Sequence, residues 1–84
     1  MRFLVIGAWD PSESRIPMLF EQERQRTGEL MKQGFVQQFL LRADGTGGFM
    51  IVSADSAAAA HEQLSTLPFM KNGIMRVELI ELRD

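Results

Sequence analysis

The chain has no cysteine among its 84 residues, which excludes disulfides, thiolate metal sites and cysteine nucleophiles. Its one histidine lacks the second His or Cys that a usual metal ligand set requires. Neither sign of charge dominates. Nine Lys and Arg stand against eleven Asp and Glu, for a formal net charge of -2, and neither sign forms a long run. That balance argues against a nucleic-acid or anionic-membrane surface. No apolar run is long enough to cross a bilayer. The opening Phe3-Leu4-Val5-Ile6 stretch soon meets Asp10, Pro11 and Glu13, and reads as a buried first strand rather than an export signal. The expectation is a cytoplasmic protein with no cofactor and no metal. A Gly-rich phosphate loop and a Ser-His-Asp nucleophile pattern are also missing. Gly45-Thr46-Gly47-Gly48 lies between strand-like segments and reads as hairpin chemistry.

What is present organises residues 1–84 as a single domain. Phe3 to Trp9 is apolar on both alternating faces, the pattern of a strand covered on both sides. A helix is predicted from Pro17 to Gln33, ending at Gly34, with Leu19, Phe20, Thr27, Leu30 and Met31 as its inward stripe. Gly28 interrupts that helix, either to permit a close backbone contact or as a tolerated weak spot. Phe35 to Arg42 and Phe49 to Ser53 read as a hairpin around Asp44-Gly45. Asp55 or Ser56 caps a second helix with Ala57, Ala60, His61, Leu64 and Leu67 near one face, and Leu67-Pro68 ends it. Asn72-Gly73 reverses the chain into a last strand, Ile74 to Leu82.

The order βαββαβ predicts an α+β, ferredoxin-like sandwich, with two helices on one face of a four-stranded antiparallel sheet. The strands offer apolar residues of both parities, among them Phe3, Leu4, Met50 and Ile51. The face away from the helices would then be a large association-prone patch. A homodimer pairing two sheets into an α+β barrel, alone or within a higher oligomer of dimers, would bury it and enclose a cavity.

His61-Glu62, Leu64 and Leu67-Pro68, with the helix before them and the strand after, resemble the muconolactone delta-isomerase family. The similarity extends to Glu23, to Gly34 and to the run into the last strand. Related dimeric α+β barrel proteins often carry a hairpin like Arg42-Ala43-Asp44-Gly45. The chain departs from the family's isomerases in reading Phe3-Leu4-Val5 where they have a histidine in the first strand. Its hairpin is slightly shorter, and Phe69-Met70-Lys71 replaces an aromatic, proline-containing segment.

The resemblance implies acid–base chemistry on a small metabolite such as a carboxylated lactone, in which a proton is removed near a carbonyl and returned elsewhere. Such a reaction needs a carboxylate or histidine of tuned pKa and a cation for the substrate carboxylate. Glu23 is the first candidate for the base; alternatively it is an edge glutamate paired with Arg24 or Arg26. Arg42 can bind an acidic ligand through its planar fork with Asp44 orienting it, or the two can form a plain hairpin salt bridge. Trp9 and Asp10 are candidate substrate contacts at the mouth of the cavity, with Trp9 equally readable as plain packing. His61 suits proton transfer near neutral pH, but it belongs to the helix layer, whereas a barrel cavity lies across the sheet. The alternative to an enzyme is a noncatalytic domain that binds a small ligand or supports assembly.

Overall fold

The computed structural model describes residues 1–83. Its elements are β1 (Arg2–Ala8), α1 (Ile16–Lys32), β2 (Val36–Leu41), β3 (Gly47–Ser53), α2 (Ala57–Leu64), α3 (Pro68–Lys71) and β4 (Arg76–Leu82). The four strands form one antiparallel sheet in the order β2-β3-β1-β4. This is the α+β, ferredoxin-like arrangement expected from the order of elements.

Strand register explains which side chains meet the helices. Phe3 lies opposite Val52, and Val5 lies between Met50 and Leu79. Because cross-strand partners share a face, these residues form the sheet's half of the core, and Phe3, Val5, Met50 and Val52 are buried. Leu30 from α1, Ala60 and Leu64 from α2, and Leu67 and Phe69 beyond it supply the other half. Leu4 and Ile6 point the other way, beside Ile51, Phe49 and Ile80. That second face stays partly open, with Leu40 at 54% and Ile80 at 41% exposure.

Three local features differ from expectation. Gly47 and Gly48 belong to β3, not to the turn, and pair with Ala8 and Gly7. A Cβ on Gly47 would strike the Gly7 carbonyl, so glycine is required there by close strand approach. The turn proper contracts around Gly45, whose φ is +74°. A register shift between Val36 and Gln38 marks a bulge in β2, an extra residue that changes which side chains face the core. Val36 is thereby buried with Val52, while Phe39 rejoins the helix side opposite Met50.

Pro68 also acts differently from a simple stop. Helix α2 has already ended at Leu64, with the Ser65 and Thr66 amides bonded back to the His61 and Gln63 carbonyls. Pro68 instead opens the short α3, where its missing N–H falls at a position that has no intrahelical partner. At the other end of α2, Ser56 Oγ accepts the Ala59 amide at 3.0 Å, a side-chain cap. Helix α1 runs as predicted to within a residue, and Gly34 follows it at φ +83°. Its stripe divides, however. Thr27 and Leu30 are buried, whereas Phe20 and Met31 are each 45% exposed.

Candidate functional site

Phe20 and Met31 are exposed because α1 does not close down on the whole sheet. Between α1 and the sheet lies a cavity of about 700 Å³. Val5, Gly7 and Met50 contribute to its sheet side, and Phe69 and Met75 to its deeper wall. Phe39 and Leu41 of β2 line it toward solvent. This cavity of the single chain lies on the helix side of the sheet.

Glu23 projects from α1 into this space. Its Oε1 accepts the Phe69 backbone N–H at 2.8 Å, which ties α1 to the start of α3. Burial raises the Glu23 pKa above its ordinary value, and the Phe69 amide offsets part of that effect by favouring the charged form. One turn further on, Thr27 is buried and its hydroxyl donates to the Glu23 carbonyl at 2.9 Å. Neither Arg24 nor Arg26 pairs with the Glu23 carboxylate. Arg26 bonds Glu29 at 3.0 Å and Thr66 at 3.0 Å. Arg24 and Lys32 are exposed and line the cavity mouth, so among the described residues the buried part of the wall contains no cation.

Trp9 lines the same cavity and stands edge-on to Phe69, with ring centroids 5.5 Å apart at 72°. This T-shaped contact suits two aromatic quadrupoles. Asp10, the next residue, turns into a second, more open hollow beside Ser12 and Arg76. Its carboxylate accepts the Ser12 amide at 2.9 Å and the Ser12 hydroxyl at 2.7 Å, which lower its pKa.

The remaining candidates lie elsewhere. Arg42 and Asp44 pair through two hydrogen bonds of 2.6 and 3.1 Å on the exposed hairpin. Asp44 also accepts the Thr46 amide and hydroxyl, and these donors hold its carboxyl well below the usual range. The plain hairpin salt bridge is thus the arrangement found, with no contact to Glu23. His61 is exposed on α2, its Nδ1 3.4 Å from Ser65 Oγ, and does not line the cavity. Its place on the helical repeat does not bring it to the core because α2 buries only Ala60 and Leu64.

The sequence model of the muconolactone delta-isomerase family matches residues 2–84. The chain belongs to that family. Its fold is similar to the crystal structure of muconolactone isomerase, with a TM-score of 0.81 at 21% identity over 98% of this chain and 88% of that one. It is also similar to 5-chloro-2-hydroxyhydroquinone dehydrochlorinase from Burkholderia phenoliruptrix AC1100, in complex with 2,5-dihydroxybenzoquinone. There the TM-score is 0.72 at 21% identity over 99% of this chain and 94% of that one. No curated protein sequence matches the chain.

Several lining residues of this family member were not singled out as site residues from sequence. Thr27 is four residues after Glu23, one helical turn away, and its sequence pattern marks it only as part of the core stripe. Phe69 follows the Pro68 that resembles the family pattern, but nothing in the sequence marks its amide as the partner of a carboxylate 46 positions earlier. Gly7 and Met75 had no local signal. They meet because β1 and β4 are neighbours and Met75 precedes β4.

Proposed function

We propose that this chain is a small isomerase- or lyase-like protein that moves a proton on a carbonyl-activated ring compound in the cavity between α1 and the sheet. Glu23 is the proton-transferring group. The observation that supports this most is a half-buried carboxyl, raised in pKa, aimed into an apolar cavity and fixed by the Phe69 amide. A carboxylate in such a place is a stronger base than one in water and is already oriented.

In the reaction, the Glu23 carboxylate takes a proton from one end of the carbon system conjugated with the substrate carbonyl, leaving a conjugated enolate. The resulting carboxylic acid returns the proton to the far carbon of that system. The double bond moves, and the carboxylate is regenerated. One group performs both transfers, so no second acid is required within the wall. Trp9 and Phe69 offer aromatic surface to the ring, and a substrate carboxylate finds Arg24 or Lys32 at the mouth. Arg42, Asp44, His61 and Asp10 have no part in this step, because none lines that cavity.

A noncatalytic ligand-binding domain is the second reading, favoured by the lack of a cation in the buried wall. Turnover of muconolactone, followed by ultraviolet absorbance, separates the two. The enzymatic reading predicts turnover by the native chain and its loss in Glu23→Gln. Binding without turnover supports the second reading, and equal turnover by both proteins removes Glu23 as the base.

We also propose that a second copy covers the open sheet face, as a homodimer or a higher assembly of dimers. The half-buried Leu4, Ile6, Phe49 and Ile51 and the exposed Leu40 and Ile80 support this, because a contiguous apolar face of this kind favours association. A solution mass measurement at micromolar concentration tests it; a stable monomer contradicts it.

A further inference from the structure

We propose that Gly28 is a specificity-determining residue, which leaves a side chain out of the α1 wall and so makes room for a bulky substituent on a small apolar ring compound bound beside Glu23. This rests on reading the cavity as a ligand site. Gly28 lies well inside α1, where glycine is the least favourable residue other than proline. A glycine in such a place usually has a backbone reason, and both common ones are missing. The glycines with positive φ are Gly34, Gly45 and Gly73, not Gly28. Close packing does not demand it either, since a Cβ built on Gly28 meets nothing within 4 Å beyond its own stretch of helix backbone.

The contrast with two other cavity glycines is informative. A Cβ on Gly7 would come within 2.9 Å of the Met75 sulfur, and one on Gly48 within 2.9 Å of the Leu40 carbonyl oxygen. Backbone excludes a side chain at Gly48, and at Gly7 the Met75 side chain would have to move aside. At Gly28 nothing excludes one, yet the residue is half-buried and lines the same cavity as Glu23 and Thr27. The space a side chain would take is therefore continuous with the cavity. Phe20, Met31, Met50 and Phe39 give the neighbouring wall an apolar surface, while Arg24 and Lys32, one turn either side of Gly28, keep the charge at the mouth, so the group that fits has a hydrocarbon or second-ring body.

The test uses 2-naphthol as a fused-ring probe and phenol as its single-ring counterpart, titrated calorimetrically into the whole chain. Gly28→Leu is expected to weaken 2-naphthol at least tenfold while leaving phenol within about twofold. Gly28→Ala is expected to give a smaller loss together with a melting temperature about 4–8 °C higher, from improved helix propensity. Gln22→Leu, on the exposed side of α1, should bind both probes as the native chain does. If Gly28→Leu binds 2-naphthol like the native protein, the role of Gly28 is overturned and the cavity reading stands. Equal loss of both probes also overturns it, because the effect is then not one of size. If neither probe binds the native chain, the ligand-cavity reading and this inference fall together.

Discussion

Glu23 on α1 and Asp44 in the β2–β3 hairpin are both carboxylates with backbone N–H donors at close range, yet their surroundings move them in opposite directions. Glu23 sits in an apolar cavity with one amide, so desolvation prevails and its pKa rises. Asp44 sits in water with a guanidinium, a hydroxyl and an amide, so its pKa falls. The first arrangement suits the proton transfer proposed for Glu23, at some cost in stability; the second fixes a turn. On that proposal, chemistry and scaffold are separated between the cavity and the hairpin.

The largest effect should distinguish the two carboxylates by activity. Loss of a positioned acid–base group typically lowers rate by about 10²- to 10⁴-fold, and Glu23→Gln should fall in that range in a muconolactone turnover assay. Asp44→Asn should leave the rate near the native value. A similar loss in both variants would erase the distinction.

Next in size is the packing that holds the cavity wall. Leu67 is fully buried between α2 and α3, and Leu67→Ala should destabilise the fold by about 2–5 kcal/mol in urea denaturation. A smaller cost would mean that the wall relaxes easily and does not hold the Phe69 amide against Glu23.

A smaller effect separates the two groups by pH. Since the Glu23 pKa is higher folded than unfolded, its ionised form opposes folding. Stability from this group is fully present below its ordinary value of 4.5 and is lost as pH rises through the folded pKa. The stability of Glu23→Gln relative to the native chain should therefore increase from acid to neutral pH. Asp44 has the opposite sign. Its pKa is lowered in the folded state, so its contribution is present above 3.8 and is lost as pH falls.

The smallest change is expected from Arg42→Ala. Its partner is exposed, and water and salt screen such pairs. The melting temperature should drop slightly at low salt, and the difference should shrink as salt is added. A large, salt-insensitive loss would show that the hairpin holds more of the fold than its exposure suggests.

The contrast also explains what was legible in the sequence. Hydrophobic periodicity and the turn residues carry the βαββαβ order, because each element's local pattern agrees with its final environment. Glu23 is recognisable as an unusual carboxylate from its place beside an apolar stripe. The location of the cavity is not, since it depends on how much of the sheet α1 leaves uncovered while Thr27 and Leu30 still reach the core. The bulge at Gln37 and the strand role of Gly47 depend on pairing partners far along the chain. Arg42 and Asp44 look like ligand-binding residues in sequence because a bidentate pair and a substrate clamp use the same groups. Only their exposure tells them apart.

The most direct test of the cavity as the working site is an amide NMR titration of the native chain with muconolactone. The amides of Phe69, Thr27 and Gly28 should shift together and saturate, while those of Arg42, Asp44 and Thr46 stay in place. Saturable shifts at the hairpin with an unmoved Phe69 amide would contradict the account.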